Sequence, residues 1–303
     1  MTEATPGEDR GYGRHVTVIG GADAGKYPDA NCLVVRGSDA AVLIDSSLTV
    51  HGRGGPPEGV DRVLLTHGHE DHIVGLAAHE LPVEVHDADL AAVRSLEGLS
   101  DLYGLDEPDR SSWEREVAER FAVGGRPDAT AFTDGAAWDL GGVTVTAVHL
   151  PGHTVGHCGF LIEPDGFVFV ADVDLSGFGP YYGDAGSDLE GFEASIERCA
   201  GIDARWFGTS HHRGVVEGRE EFLERLEAYR SVIERRERAL LEFLTEPRTL
   251  EEIVAHRFVY RPHVTGSFVD SVERRSMSRH LDRLEPDGRV ERLDDNRWRA
   301  AVS

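Results

Sequence analysis

The sequence predicts an α/β fold followed by a smaller, mostly helical domain. Up to about Val216, strand-like apolar runs alternate with helical patterns, the order that builds sheets covered by helices. Beyond about Glu220 the pattern is helical and ends in two short strand-like runs. The charge changes at the same place: residues 1–229 hold 16 basic and 41 acidic residues, whereas residues 230–303 hold 15 and 14. We therefore predict two domains, 1–229 and 230–303.

The first strand with chemistry at its end is the apolar run Val63 to Leu65. It leads directly into T-H-G-H-E-D-H, residues 66–72, and then into a helical pattern in which we expect Asp71 to cap the first turn. A strand-to-helix corner presents its side chains towards one point, and histidine is the commonest metal ligand. The corner therefore predicts metal ligands among His67, His69, Asp71 and His72.

Three later strand-like runs end in the same kind of residue. The run Val143 to Val148 precedes L-P-G-H-T-V-G-H, which contains His153, and the run Phe167 to Val170 ends at Asp172. A third run, R-W-F-G-T-S, ends in His211 and His212. Four strand ends with imidazole or carboxylate at the tip predict one metal centre, because such groups bind zinc, iron and related ions.

These motifs, in this order, resemble those of the metallo-β-lactamase-fold hydrolase superfamily. The resemblance covers roughly residues 14 to 229. Its first motif is Asp45 in A-V-L-I-D-S. It implies a four-layer αββα sandwich with the site on one edge of the two sheets. It also implies that Asp45 braces the site and is not a ligand. The last motif usually reads His-Gly, whereas here it reads His211-His212, and the small pair before it favours His211.

The resemblance implies a binuclear site. One ion would be bound by His67, His69 and His153, the other by Asp71, His72 and His211, with Asp172 bridging the two. We expect two zinc ions per chain, with iron or manganese as alternatives. Two such ions about 3.5–4 Å apart share a hydroxide that attacks the substrate, and Asp71 is the expected catalytic residue that orients it and moves its proton. The glycine pairs Gly20-Gly21 and Gly54-Gly55 fit no phosphate-binding or dinucleotide motif, and no cofactor-binding residues are predicted.

The substrate class is less defined by the sequence. The form P-G-H-T-V-G-H is similar to that of hydroxyacyl-thioester hydrolases of the glyoxalase II type and of the beta-lactamase-like protein 2 group. It predicts hydrolysis of a small-molecule thioester or a related ester or lactone. The main alternatives are a single-stranded RNA endonuclease of the beta-lactamase-like protein 2 type and a mononuclear-iron persulfide dioxygenase. A flavodiiron role is disfavoured, since that pattern has Glu where His69 stands, and a non-enzymatic regulator would leave the complete ligand set without use.

The C-terminal part predicts three helices and a hairpin. Residues 220–244 form the first helical pattern, as one helix or two, and Thr249 to Glu252 has capping-box spacing. Met277, Leu281 and Leu284 mark a third helix, stopped by Pro286-Asp287-Gly288. Strand-like runs 289–293 and 297–300 then flank the turn Asp294-Asp295-Asn296. This order resembles a winged-helix domain.

A winged helix does not by itself predict nucleic-acid binding. Its third helix carries Arg274, Arg275, Arg279 and Arg283, but also Asp270, Glu273 and Asp282. A similar tail in relatives of the beta-lactamase-like protein 2 family packs near the active site. We therefore predict a lid or docking module and do not favour nucleic acid as a partner.

The formal net charge of −24 and the single lysine, Lys26, are unusual. An acidic surface almost free of lysine resembles proteins of salt-loving archaea, whose concentrated salt screens the self-repulsion. An acidic protein encoded by GC-rich DNA is the alternative.

The three cysteines predict no disulfide framework, and no apolar run is long enough to span a bilayer. We expect a soluble, cytoplasmic protein, and the sequence leaves the oligomeric state open.

Overall fold

The computed structural model describes residues 7–107, 109–121, 123–266, 268–293 and 296–301. Within them, two mixed sheets lie face to face and helices cover both outer faces, so the predicted α/β sandwich is confirmed. The seven-stranded sheet runs in chain order, β1-β2-β3-β4-β5-β6-β7. Its strands are β1 (Arg10–Tyr12), β2 (Val16–Ile19), β3 (Cys32–Arg36), β4 (Ala41–Ile44), β5 (Arg62–Leu64), β6 (Val83–His86) and β7 (Thr130–Phe132).

The second sheet has six strands in the order β13-β12-β11-β10-β9-β8. They are β8 (Ala137–Asp139), β9 (Thr144–His149), β10 (Cys158–Glu163), β11 (Phe167–Phe169), β12 (Trp206–Gly208) and β13 (Val215–Glu217). The helices before β7 are α1 (Ala22–Gly25), α2 (Leu48–Gly52), α3 (Glu70–Ile73), α4 (Leu90–Arg94), α5 (Leu96–Tyr103) and α6 (Asp109–Phe121), with 3-10 turns at Val74–Ala78 and Asp87–Asp89. The later elements are α7 (Leu189–Ala200), α8 (Arg219–Phe243), α9 (Leu250–His256), α10 (Val269–Leu284), β14 (Val290–Arg292) and β15 (Trp298–Ala300).

The period-two pattern of the strands explains the layers. In β3, Leu33 and Val35 belong to the core between the sheets, whereas Val34 packs into the outer core beneath α2 to α6. In β11, Phe167 faces the central core and Val168 faces the outer core that α7 and α8 cover. Both faces of β3 and of β11 are therefore buried, because alternate side chains point to opposite faces of a sheet.

The strand directions bring the site residues to one edge. β4 and β5 are parallel neighbours, and so are β11 and β12, so the carboxyl ends of each pair lie together. The segment that carries the motif 66–72 starts at the end of β5, Asp172 follows β11, and His211 follows β12. Loops at the ends of packed strands position functional side chains on a rigid scaffold.

The C-terminal region has its own core of α8, α9, α10, β14 and β15. α8 is a single helix that spans both sides of the predicted boundary at residue 230, with Leu226 in the outer core of the sandwich and Leu240 in the C-terminal core. Thr249 and Glu252 form the predicted capping box. The predicted turn between β14 and β15 includes Asp294 and Asp295, which lie outside the described residues.

Helix α10 is fixed to the sandwich by its arginines. Arg279 donates from Nε to the Ser187 carbonyl (2.9 Å) and from Nη2 to the Asp184 carbonyl (2.7 Å). Arg275 donates to the Gly104 and Gly183 carbonyls, and Arg283 forms ion pairs with Glu193 and Glu237. Hydrogen bonds from charged groups to backbone carbonyls are among the stronger ones. The region is therefore docked on the sandwich through specific contacts.

Glu237 on α8 provides a test of this packing. His280, Arg283 and Arg289 surround its carboxylate and lower its pKa to about 2. A carboxylate with a depressed pKa stabilises the folded state above its unfolded pKa of about 4.3, and this contribution is lost as pH falls towards 2. Glu237→Gln should therefore lower the free energy of unfolding by about 1 kcal/mol at pH 7.

The difference from wild type should shrink steadily below about pH 4.5. Denaturant unfolding of both proteins in the same metal-free buffers, from pH 7 to 3, measures it. Glu234→Gln, an exposed position on the same helix, is the matched control and should change stability little. A pH-independent difference for Glu237→Gln would contradict the assignment.

The three cysteines are buried and free. Among the described residues, no helix combines the length and the apolar character needed to cross a membrane.

Candidate metal centre and active site

The structure brings all seven predicted ligand residues together at one sheet edge. They form two groups, whose donor atoms lie within 4.8 Å of one another in each group. The first group is His67, His69, His153 and Asp172, and the second is Asp71, His72 and His211. These groups match the sets implied by the sequence resemblance, although His153 lies 84 residues from His69.

Three imidazoles of the first group point at each other. Nδ1 of His69 lies 3.0 Å from Nε2 of His67 and 3.0 Å from Nε2 of His153. Nε2 of His153 is also 3.2 Å from Oδ2 of Asp172. Ring nitrogens converge in this way when their lone pairs share a cation.

Asp172 lies between the two groups. Its Oδ1 is 3.3 Å from Nε2 of His72, and its Oδ2 is 3.5 Å from Nε2 of His211. Asp71 closes the second group, with Oδ2 3.4 Å from His211 Nε2 and Oδ1 3.8 Å from His72 Nε2. One carboxylate within reach of both groups is the arrangement that a bridging ligand requires.

The polar atoms of the site fit metal binding. His72 Nε2 and Asp172 Oδ1 are buried and have no hydrogen-bond partner among the described residues. A buried polar atom without a partner is costly, and a bound cation would satisfy both atoms at once. The donor set is imidazole and carboxylate, which suits zinc and iron. The site is therefore suited to a dinuclear metal.

Electrostatics at the centre reflects its concentrated charge. Burial lowers the pKa of His67 well below its usual value, and the neighbouring His72 adds to this effect. Burial also opposes protonation of His72 and His211, but Asp71 and Asp172 outweigh it, and the pKa of His211 rises to about 9. The carboxylates therefore stabilise positive charge at the centre, which metal ions would supply in place of protons.

Asp45 braces the centre from behind, as the sequence resemblance implies. Its Oδ2 lies 2.9 Å from Nδ1 of His72, and its Oδ1 accepts from the backbone N–H of Thr66 at 2.8 Å. His157 has a similar supporting position, since its Nε2 accepts from the backbone N–H of Asp172. Such partners hold metal ligands in a fixed position: Asp45 holds the ring of His72, and His157 holds the backbone of Asp172.

Two details correct or sharpen the sequence interpretation. Asp71 does not cap α3: His69 occupies the N-cap position without a side-chain cap, and Asp71 lies within the first turn with its carboxylate at the centre.

His211 is buried, with Nδ1 2.6 Å from the Gly25 carbonyl. His212 is exposed, has a positive φ of 59° and belongs to neither donor group. The geometry thus places His211, and not His212, at the centre.

Sequence reasoning missed Asp184. This residue is buried in the loop between β11 and α7, and its Oδ2 lies 2.7 Å from Nε2 of His69. Burial lowers the pKa of His69, but the Asp184 carboxylate outweighs this effect and the pKa rises to about 9. Asp184 thereby directs the other ring nitrogen, Nδ1, towards the metal centre. No motif surrounds Asp184, so only the tertiary structure reveals it.

Glu70 was also missed, although it lies inside the motif. It is buried beside Asp71, and its carboxylate accepts hydrogen bonds from Tyr27 Oη (2.9 Å) and Tyr103 Oη (2.5 Å). Burial and the neighbouring Asp71 raise the pKa of Glu70. Tyr103 in turn stacks on His69, with ring centroids 5.0 Å apart. A carboxylate between two ligand residues was the available signal.

A sequence profile of the metallo-beta-lactamase superfamily matches residues 28–211, an interval that contains every ligand residue. The chain belongs to this superfamily. The solved structure of a metallo-beta-lactamase family protein from Thermus thermophilus has a similar fold, with a TM-score of 0.67 at 23% identity. That alignment covers 89% of this chain and 93% of the other.

Two relatives are similar in sequence. Hydroxyacylglutathione hydrolase GloC of Haemophilus influenzae is 33% identical over 38% of this chain and 50% of its own length. Acyl-coenzyme A thioesterase MBLAC2 of Gallus gallus is 31% identical over 49% of this chain and 58% of its own length. The chain spans about half the length of the curated relatives it matches.

The candidate metal centre opens into a cavity of about 460 Å³. Many of its walls are aromatic, and they include Tyr27, Tyr103, Trp113, Phe178, Tyr181, Tyr229, Tyr260 and Phe268. Part of the wall is the loop between α9 and α10, which contributes Tyr260, Val264 and Thr265. The buried carboxylate of Glu273 holds this loop by accepting from three consecutive backbone N–H groups, residues 258–260. The C-terminal region thus forms one wall of the cavity.

Proposed function

We propose that the protein is a binuclear metal-dependent hydrolase whose substrate is a thioester or a related ester or lactone. The observation that carries the proposal is the meeting of two donor groups around Asp172 on the wall of an aromatic cavity. A cavity of about 460 Å³ lies within the range of about 300–1,000 Å³ typical of small-molecule sites.

Each residue of the centre has a proposed role. His67, His69 and His153 would hold one ion, Asp71, His72 and His211 the other, and Asp172 would bridge them. When bound, two zinc ions lower the pKa of a water molecule and polarise a carbonyl oxygen. Asp71 accepts a proton from the attacking water and returns it to the departing sulfur, so that thioester and water become carboxylic acid and thiol.

The cavity favours a neutral electrophile over a phosphodiester. Besides the ligand carboxylates, it is lined by Glu70, Glu116 and Asp174. Among the described residues its one arginine, Arg120, lies 3.8 Å from Glu116. A phosphate backbone would meet repulsion here, whereas an acyl chain would pack against the aromatic rings. The names of the relatives, a hydroxyacylglutathione hydrolase and an acyl-coenzyme A thioesterase, support the same substrate class.

We also propose a role for the C-terminal region. We take residues 1–229 as the catalytic domain and residues 230–303 as a winged-helix-like domain that serves as a fixed wall of the active site. Three of its four third-helix arginines contact the sandwich, and Arg274 lies 3.3 Å from Glu251. These contacts leave the helix without a free cationic stripe, so nucleic acid is not the favoured partner.

Metal analysis combined with turnover tests the proposal. The purified protein should contain about two ions per chain, preferring zinc to iron or manganese, and should hydrolyse acyl thioesters or lactones. Chelation should abolish turnover, and zinc should restore it. One tightly bound iron with oxygen-dependent persulfide turnover would establish the dioxygenase alternative instead. Cleavage of single-stranded RNA without thioester turnover would establish the nuclease.

We also propose that the acidic surface is an adaptation to concentrated salt, as in haloarchaeal proteins. Residues 1–229 carry a net charge of −25, whose self-repulsion opposes folding in dilute buffer. The melting temperature should therefore rise between dilute buffer and molar KCl, because the screening length falls to about 3 Å at 1 M salt. Calorimetry measures this shift. A flat or falling melting temperature would refute the halophilic proposal.

A further inference from the structure

A second cavity, of about 820 Å³, adjoins the active-site cavity. We call it the basic groove. It lies between α8 and the loop that precedes α10, and it shares Tyr27, Phe178, His212, Tyr260 and Val264 with the active-site cavity. The two cavities therefore adjoin along these residues.

The charge of the groove is opposite to that of the protein. Its lining includes no Asp or Glu among the described residues, yet it includes five permanent cations: Lys26, Arg235, Arg236, Arg257 and Arg261. The only lysine of the chain is one of them. In a protein with a formal net charge of −24, this concentration of cations forms a local site for anions.

Several of these cations are available to a ligand. In the described part of the chain, no carboxylate forms an ion pair with Lys26, Arg235 or Arg261, and all three are exposed. Arg257 pairs with Asp270 at 2.6 Å, and its Nη1 is buried without a hydrogen-bond partner within the same residues. Arg236 instead builds the wall, because it is buried and donates to the Pro180 and Phe178 carbonyls.

The five cations of the basic groove line that cavity and not the active-site cavity. Within the described ranges, the active-site cavity contains five carboxylates, and Arg120, its one arginine, faces Glu116. A polynucleotide that crossed the metal centre would bring phosphates against these carboxylates. A ligand with an uncharged reacting group at one end and several phosphates at the other matches both cavities.

We propose that the basic groove binds the phosphate groups of the thiol carrier of the substrate, a nucleotide-type carrier such as coenzyme A. This inference rests on the proposed thioester hydrolysis and specifies the carrier. The acyl group would lie in the aromatic cavity, with the thioester at the metal centre and the phosphates beside Lys26, Arg235, Arg257 and Arg261.

Hydrolysis of one acyl group on two carriers tests the proposal in the zinc-loaded protein. Acyl-coenzyme A should exceed acyl-pantetheine, which lacks the phosphates, by at least about tenfold in kcat/KM. The double substitution Lys26→Gln and Arg261→Gln should lower this ratio at least about fivefold, mainly through KM for acyl-coenzyme A. Arg225→Gln, an arginine of α8 outside the groove that pairs with Glu221, is the matched control and should leave the ratio unchanged.

Calorimetric titration with free coenzyme A gives a readout independent of turnover. The wild type should bind coenzyme A, and the double variant should bind it at least about fivefold more weakly. If both thioesters are hydrolysed with a ratio near one, or free coenzyme A does not bind, the carrier inference is wrong and the proposed function stands. If neither thioester is hydrolysed, the thioester part of the proposed function fails, and the titration alone decides whether the groove binds the carrier. Binding and cleavage of a single-stranded RNA oligonucleotide, lost in the double variant, would overturn both.

Discussion

The substitution His211→Ala should remove one metal ion per chain and lower kcat/KM at least about a hundredfold. His211 supplies Nε2 to the second donor group, 3.4 Å from Asp71 and 3.5 Å from Asp172. An alanine leaves these two carboxylates facing a gap. The neighbouring His212→Ala is the matched control, because it removes an exposed imidazole that belongs to neither donor group.

Metal content by mass spectrometry and turnover of a thioester decide between the two histidines. His212→Ala should keep both ions and lose far less activity than His211→Ala. Circular dichroism should confirm that both variants fold. If His212→Ala lost the metal and His211→Ala retained it, the geometry at the end of β12 would be wrong by one residue.

The candidate ligand residues could be predicted from the sequence because each lies in a segment that begins at the end of a strand. A strand-like run such as Phe167 to Val170 is visible in the sequence, and the residue that follows it must lie at a sheet edge. The sandwich then brings four such ends together. Local pattern, together with the family resemblance carried by the order of the motifs, therefore predicted residues that the fold brings together.

The supporting residues could not be predicted in the same way. Asp184 reaches His69 across 115 positions of sequence, from a loop without a recognisable motif. Tyr260 lines the cavity only because Glu273 holds its loop and α10 docks on the sandwich. Such contacts depend on tertiary packing, which periodicity does not encode.

The same limit applies to charge. Net charge by segment predicts a C-terminal region close to neutral, with 15 basic and 14 acidic residues. The fold separates these charges: the third-helix arginines Arg275, Arg279 and Arg283 contact the sandwich, whereas Arg257 and Arg261 line the basic groove. Helical position alone would have assigned the arginines of α10 to a partner. The contacts of Arg275, Arg279 and Arg283 show that these side chains attach α10 to the sandwich.

Asp71→Asn should abolish hydrolysis while at least one metal ion stays bound. The amide keeps the shape of the carboxylate, whose Oδ2 lies 3.4 Å from His211 and whose Oδ1 lies 3.8 Å from His72. It cannot accept the proton that the attacking water must lose, so kcat should fall at least about a hundredfold, and KM should change less. Single-turnover kinetics and metal analysis of the same sample separate lost chemistry from lost metal.

Glu116→Gln is the matched carboxylate-to-amide control, because Glu116 lines the same cavity outside both donor groups. It should keep both ions and most of the activity. Near-normal turnover in Asp71→Asn would assign the proton transfer to another group. Asp174 would be the first to test, because it lines the cavity two residues from Asp172 and belongs to neither donor group. The double variant Asp71→Asn and Asp174→Asn would then be inactive, whereas retained activity in it would exclude both carboxylates from the proton transfer.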